Sequence, residues 1–470
     1  MKNEMNYFKI EYIQEPQLLF NEGGISLNPC VGLIKYGPRF AGSSTTEFKT
    51  FKIGIIGSSK SIALTKHLFE SFYMKILPDG DIKPWKIPFP GLNANSKLRF
   101  EFIFNPEWES IIDSFDFENL KAAQSSSERA LELIKERIIT IYEKETPPDI
   151  IVISFPIEFY YICECSDTKK PMIKVGLDDF HNRIKLLAMQ LKVPTQIIRP
   201  ETLQLEGTQE RSLVAWNIVV GMLYKCQRGH PWKLTHLEEN TCYVGISFFK
   251  EKGEETRRAS LAQIFLDTGE SFVLRGESFS WANKDYPNSP HLSEEDAQRL
   301  MSYVLTHYKL IRKHYPDRIV IHKSSNFWDD ELEGFKSATK NIKSKDFISI
   351  LPSDFKLFTQ TSYPVLRGTL VLTKNESIGF LFTTGFVPSL KTYPGFSIPS
   401  ALQIKPFVLD TSLLKVCREI LSFTKLDWNN TFVYSKMPVT LSVSRKVGHV
   451  MSETEAKRIC NLDTHYYFYM

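Results

Sequence analysis

The chain has no run of apolar residues long enough to cross a bilayer: the longest clean stretch, around Ile218 to Tyr224, falls far short of the roughly 18 residues a span needs. Its first residues, Met1 to Tyr7, are polar and lack the apolar core of a secretory signal. Cysteine is scarce, seven in 470 residues, odd in number and scattered, which excludes a disulfide scaffold and fits a reducing cytoplasm. Neither sign of charge dominates. With 58 Lys+Arg against 54 Asp+Glu, the net charge of +4 is too small to require a nucleic-acid partner and too near neutral to forbid one. Internal repeats, low-complexity tracts and heptads are missing as well, which removes solenoids and coiled coils. What is present is a 42% hydrophobic, 13% aromatic chain, a composition that excludes disorder and builds real cores. The length suggests two or three domains. Any binding function must therefore rest on local clusters.

The first fifty residues read as short strands broken by turn chemistry at Glu15-Pro16, at Asn21 to Gly24, and in the run Gly32 to Pro38. From Phe51 the pattern changes to strand–helix alternation. Lys52 to Ile56 is a strand ending at Gly57, Lys60 to Tyr73 a helix, and Glu118 to Lys144 one long amphipathic helix stopped by Pro147-Pro148. The strand Asp149 to Ser154, the helix Phe180 to Leu191, the strand Thr195 to Arg199 and the helix Arg211 to Lys225 follow. Such alternation predicts a parallel α/β layer. After about Asn240 the order differs. Thr241 to Phe249 is a strand, and Ala259 to Leu274 a hairpin turning at Asp267-Thr268-Gly269. Ser293 with Asp296 opens a helix whose apolar face is Ala297, Leu300, Met301, Val304, Tyr308 and Ile311, and Arg318 to His322 returns as a strand. Strand, hairpin, helix, strand is the opening order of a ribonuclease-H-like domain.

A nuclease of that fold holds two divalent ions about 4 Å apart on carboxylates at the ends of its first and fourth strands. Here those positions are Ser247 and Ser324, and a neutral hydroxyl does not hold a hard cation where anionic oxygen is required. Asp267, Asp329, Asp330 and Glu331 lie nearby in sequence and are the candidates for a displaced centre. A second constellation surrounds His181. His181 and Lys185, four apart at the expected start of a helix, share a face near its positive end, where phosphate is favoured. Gln196 sits at the next turn-to-strand junction, and Lys225 closes the following helix.

Four segments taken in order resemble the MID and PIWI domains of Argonaute proteins, specifically the short prokaryotic branch. They are His181–Lys185 with Pro194-Thr195-Gln196; Asn217 to Lys225 running on to Pro231-Trp232-Lys233-Leu234; Val244-Gly245-Ile246 followed by Ile319 to Lys323; and Leu426-Asp427-Trp428-Asn429-Asn430 leading to Met437-Pro438-Val439-Thr440. Leu366-Arg367-Gly368-Thr369 and Gly32-Leu33 with Tyr36-Gly37-Pro38 fit the same family. The resemblance implies an α/β fold in which a Rossmann-like MID domain, residues 51–205, packs on a ribonuclease-H-like PIWI domain, residues 206–470, behind a β-rich N-terminal segment, residues 1–50. It implies that His181, Lys185, Gln196 and Lys225 bind the 5′-phosphate of a guide strand, and that Mg²⁺ bridges this phosphate and the C-terminal carboxylate of Met470. The four aromatics in the tail Tyr466 to Met470 suit a terminus held inward. Thr195, Arg445 and Lys446 match positions near nucleic-acid backbone, Arg445 and Lys446 following an expected strand at Pro438 to Thr440, with Lys436, Lys457 and Arg458 adding charge and Glu453 and Glu455 subtracting it.

Serine at positions 247 and 324, where catalytic relatives carry Asp, implies a chain that is not an enzyme. The implied function is guide-RNA-directed recognition of single-stranded DNA without cleavage, in the cytoplasm. The implied partner is an APAZ-domain protein bearing a sirtuin-like or TIR effector that degrades NAD⁺. The two form a heterodimer, with multimerisation on activation left open, in defence against plasmids and phages. The alternative is a nuclease with displaced carboxylates. Two other leads fail on spacing. Gly54 to Ser61 has two residues between its glycines and a late Lys60, unlike a Walker loop, and Cys163-Glu164-Cys165 has no second ligand pair nearby.

Overall fold

The computed structural model describes residues 8–40, 48–80, 83–156, 158–159, 161, 173–204, 210–250, 257–266, 271–281, 289–358, 360, 363–395, 397–451 and 465–470, with backbone only at 173–179, 250, 257–261, 444–446 and 449. Strand β1 (Phe8–Tyr12) is followed by the short antiparallel pair β2 (Leu18–Leu19) and β3 (Ile25–Ser26). The expectation of strands throughout this region fails at Pro29–Tyr36, which is helix α1. The reason is local: the Asn28 side chain accepts from the Val31 N–H, Pro29 takes the first helical position, and Gly37 at φ +79° stops the helix.

The parallel layer then forms. Its strands are β4 (Lys49–Gly57), β5 (Phe100–Ile111), β6 (Ile150–Ser154) and β7 (Thr195–Ile197), in the order β5-β4-β6-β7. Helix α2 (Ser59–Ser71) covers one face with Ile62, Leu68 and Phe69. The other face is covered not by one helix over 118–144 but by two, α3 (Ser114–Ala122) and α4 (Ser126–Tyr142). Two N-caps explain the break: Asp113 and Asp116 form a reciprocal capping box, and Ser125 caps a second start by accepting from the Glu128 N–H. Helix α5 (Ile173–Leu191) begins well before Phe180, because Ile173 and Leu177 continue the apolar spacing of Phe180, Ile184, Leu187 and Leu191.

After α6 (Pro200–Gln204), α7 (Arg211–Gln227) and β8 (Lys233–Leu234) comes the larger sheet. Strands β9 (Thr241–Lys250), β10 (Arg257–Leu266) and β11 (Ser271–Ser280) form an antiparallel meander, with the turn residues 267–270 outside the described residues. Helix α8 (Glu294–Arg312), capped by Ser293 as expected, leads to β12 (Arg318–Lys323), which pairs in parallel with β9. Helix α9 (Asp329–Ala338), β13 (Ser344–Pro352), β14 (Thr369–Thr373), β15 (Gly379–Leu381), β16 (Leu402–Leu409), α10 (Leu413–Phe423) and α11 (Val439–Met451) complete the unit. The nine strands run β1-β14-β15-β16-β13-β12-β9-β10-β11, a ribonuclease-H-like order at the β9–β13 end, with the N-terminal β1 added at the opposite edge.

Val439–Thr440, expected as a strand, instead begins α11 behind Pro438. That start presses onto β9 so closely that a Cβ on Gly245 would overlap the Thr440 carbonyl oxygen, which is why glycine stands there. One face of the sheet packs Val244, Ile246, Ile264 and Ile321 against α8. The other presents Tyr243, Phe265 and Val320 to a core that also contains Leu186, Met189 and Trp216, so both sheets share one interior. Among the described residues no helix is long and apolar enough to cross a membrane. The described cysteines 30, 226, 242 and 417 are free thiols.

Candidate nucleic-acid interface

Helices α5 and α7 and strand β7 meet where the two sheets join. The Lys185 ammonium donates to the Thr195 carbonyl at 2.8 Å. Lys225 donates to the same carbonyl at 3.2 Å and to Gln196 Oε1 at 2.7 Å, while Gln196 Nε2 donates to the Ile197 carbonyl at 3.0 Å. Residues 181, 185, 195, 196 and 225 thus come together in one cluster, with Lys185 and Lys225 almost fully buried. Burial, with Lys225 beside it, holds the Lys185 ammonium well below the usual lysine range. Burial and the charges of Lys185, Arg199 and Lys225 push the His181 imidazole down to about 3, so it is neutral at physiological pH.

This cationic cluster is what a phosphate monoester dianion satisfies, with charge-assisted hydrogen bonds from both lysines. The helix dipole has no part in it. Because α5 begins at Ile173, His181 and Lys185 lie in its interior turns, and dipole effects fade beyond the first turn. That corrects the expectation of a helix start at His181. Arg199, the third charge felt by His181, was not singled out from sequence; an arginine just before Pro200 carries no recognisable pattern.

The tail packs on the two helices that carry these residues. Residues 466–468 form a 3₁₀ turn packed against α5, α7 and β11, and Tyr466 through Met470 are all buried. Tyr224 of α7 lies within ring contact of Tyr466, Tyr467, Trp428 and His230. The Trp428 indole N–H donates to the Trp232 carbonyl and the Trp232 indole N–H to the Lys425 carbonyl, both at 3.1 Å, while the Thr431 N–H donates to Asn217 Oδ1 at 3.2 Å. Residues 217–234 and 425–431, some two hundred residues apart, are thereby packed into one unit.

Ser247 and Ser324 stand side by side on adjacent parallel strands. Ile246 pairs with Lys323, and the Ser324 N–H donates to the Ile246 carbonyl at 3.2 Å. Of the nearby acids, Glu331 is buried and engaged at both carboxylate oxygens, accepting from Lys323 Nζ at 2.5 Å and from the Leu292 N–H at 3.1 Å. Asp329 and Asp330 are exposed in the first turn of α9, and Asp267 lies outside the described residues. Among the described residues no group of three or more His, Cys, Asp or Glu is placed to hold a metal ion.

Arg445 and Lys446 lie on α11, which packs against α5, with side chains outside the described residues. Lys436 donates to Ser400 Oγ at 2.9 Å; Glu453, Glu455, Lys457 and Arg458 lie outside the described residues, as does the Cys163–Cys165 pair. The glycine-bearing turn after β4 is no phosphate cradle: a Cβ on Gly57 would overlap the Ser154 carbonyl, and Ser61 Oγ donates to that same carbonyl. A cavity of ≈ 590 Å³ near Trp85, Trp216, Tyr393 and Phe432 lies at the other end of α7, away from the lysines, and its walls are largely apolar.

No protein-family model matches the sequence, and no curated protein matches it. Solved structures do match. Clostridium butyricum Argonaute, bound to a guide DNA and a 19-mer target DNA, superposes with a TM-score of 0.66 at 15% identity over 96% of this chain and 54% of that one. A. aeolicus Argonaute gives 0.55 at 16% over 96% and 55%, and Drosophila Piwi 0.61 at 12% over 98% and 56%. The chain therefore spans about half the length of each, and over that length its structure is an Argonaute-like MID–PIWI fold.

Proposed function

We propose that this chain holds the 5′-phosphate of a guide RNA in the pocket of His181, Lys185, Gln196 and Lys225 and recognises complementary single-stranded DNA without cutting it. The observation that carries the reading is the convergence of two buried lysines on the Thr195–Gln196 junction beneath a packed aromatic tail. Burying an ammonium group is costly, and a phosphate dianion is the ligand whose charge-assisted hydrogen bonds offset that cost. Lys185 and Lys225 would donate to the phosphate oxygens, neutral His181 would add a ring N–H, and base pairing would supply sequence specificity. Residues 51–205 act as the guide-anchoring unit and residues 206–470 as the duplex-holding unit, with Arg445, Lys446 and Thr195 near the backbone. The neighbour from Clostridium butyricum holds a guide DNA, so the preference for RNA rests on resemblance to the short prokaryotic branch.

A Mg²⁺ ion fits the donor chemistry at one point. The Thr195 carbonyl and Gln196 Oε1 are already engaged by ammonium groups, whereas the tail ending in buried Met470 is packed on the two helices that carry the lysines. The Met470 carboxylate would be the chain's ligand, and the ion would neutralise phosphate charge. Serine at 247 and 324 supports a chain without nuclease activity, whose target pairing activates an APAZ-domain partner with a sirtuin-like or TIR effector, in the cytoplasm. The test is binding of labelled RNA with 5′-phosphate and with 5′-hydroxyl, followed by incubation with complementary DNA and Mg²⁺ or Mn²⁺. Preference for the phosphate with an intact target is expected. Equal affinity for both ends removes the pocket assignment, and a cut target restores the displaced-carboxylate alternative.

A further inference from the structure

Strand β1 forms one edge of the nine-stranded sheet, and no described strand pairs with its outer side. Phe8, Ile10 and Tyr12, on one face, are 49%, 64% and 47% exposed, an alternating apolar row that a solitary edge strand does not explain. The row continues a satellite cluster beneath it, since Phe8 lies 6.3 Å from Phe355, and Val371, the partner of Ile10, belongs to the cluster that Phe355 packs on. Lys9 and Glu11, on the opposite face, are 3.0 Å apart, Lys9 exposed and Glu11 half-buried. Next to β1, the Ile13 N–H donates to the Gly368 carbonyl. Antiparallel ladders alternate, so Lys9 and Glu11 bond toward β14 while the N–H and C=O groups of Phe8, Ile10 and Tyr12 point outward.

We propose that β1 is a homodimer interface, pairing antiparallel with β1 of a second copy about a two-fold axis through Ile10. The sequence Phe-Lys-Ile-Glu-Tyr is self-complementary in that register. Ile10 opposes Ile10 of the second copy, Phe8 opposes Tyr12, and Lys9 opposes Glu11 on both sides of the axis. Apolar groups meet apolar on one face and opposite charges meet on the other. Each outward group finds a partner, and two nine-stranded sheets become continuous. Shifting the register by two residues places Lys9 against Lys9 or Glu11 against Glu11, and shifting it by one places apolar residues against charges. The same patch serves both copies, as closed two-fold symmetry requires, and cross-strand pairs of these kinds stabilise antiparallel edges.

The proposal is independent of the phosphate pocket and is tested on the full chain by sedimentation across the micromolar range. Wild type is expected to dimerise in a concentration-dependent way. Lys9→Glu and Glu11→Lys each turn two attractive cross-strand pairs repulsive, raising the dissociation constant roughly thirtyfold. Mixing these two variants is expected to recover a dimer, because each then carries the charge the other lacks, and Lys9→Glu/Glu11→Lys is expected to dimerise as wild type does. Lys9 is exposed and Glu11 half-buried, and thermal melts of the monomeric variants confirm that they fold. A wild-type monomer at every concentration, a dimer indifferent to Lys9→Glu, or a mixture that stays monomeric overturns the proposal.

Discussion

Replacing Lys185 with Met separates what the pocket does for its ligand from what it does to the fold. Lys185 is 2% exposed, and burial together with Lys225 lowers its pKa well below 10.5. A lysine whose folded pKa lies below its unfolded value destabilises the native state. The penalty is fully present below the folded pKa and disappears as pH rises through 10.5, where the group is neutral in both states. Each unit of depression corresponds to about 1.4 kcal/mol. The lost hydrogen bond offsets about 1 kcal/mol of that, and the Thr195 carbonyl keeps its bond from Lys225. Lys185→Met, nearly isosteric, is therefore expected to raise the Tm of the guide-free protein at pH 7, with a gain that shrinks toward pH 10. The same change removes a charge-assisted phosphate contact of about 1.5–3 kcal/mol, a roughly ten- to hundredfold weaker guide. Wild-type affinity is also expected to fall as pH rises through the lowered lysine pKa, because binding a dianion favours the protonated ammonium. Calorimetric melts between pH 6 and 10, paired with titration of 5′-phosphorylated RNA, read both effects. A variant that binds as tightly as wild type, or that melts lower without guide, refutes the reasoning.

Two further perturbations test the frame. Glu15 holds buried Arg367 and Lys425, accepting at 2.8 and 2.5 Å; burial alone would raise its carboxyl, but the two cations outweigh burial and keep it below 4.5. Glu15→Gln is expected to destabilise the protein by about 3–5 kcal/mol in urea unfolding. The native contribution is lost as pH falls through the lowered carboxyl pKa, and a loss under about 1 kcal/mol would show that Glu15 does not hold the two buried cations. Gly245→Ala forces a methyl group into the Thr440 carbonyl and is expected to lower Tm by several degrees through overpacking of about 1–3 kcal/mol, without changing the guide pocket; unchanged Tm would mean that the start of α11 yields.

Legibility in the sequence followed the range of the physics involved. The Ser293–Asp296 cap, the β10–β11 arms and the buried strands β6 and β12 depend on neighbours within a few residues, and each stands where its pattern placed it. Misreadings arose where two local signals competed. A continuous polar–apolar period over 118–144 concealed the Ser125 cap, and turn-forming residues around Gly32 concealed a helix opened by Asn28-Pro29. The extended residues Pro438 to Thr440 read as a strand because nothing local announces that α11 must land on Gly245. Among the candidate site residues, the i,i+4 pair His181 and Lys185 was visible as a pattern, whereas Arg199 carried none.

By itself the sequence determined most of the segments with a clear local period or cap, such as β6, α8 and β12, that serines occupy positions 247 and 324, and which residues could donate to a phosphate, because these depend on residue type and on spacing within a turn or a pleat. Only the tertiary structure decided that Lys185 and Lys225 converge on the Thr195 carbonyl with Gln196 accepting from Lys225, that the last five residues are buried, and that Phe8–Tyr12 pairs with Thr369–Thr373. Those outcomes join positions tens to hundreds of residues apart. They are set by which apolar faces bury one another, and no rule confined to neighbouring residues encodes that choice.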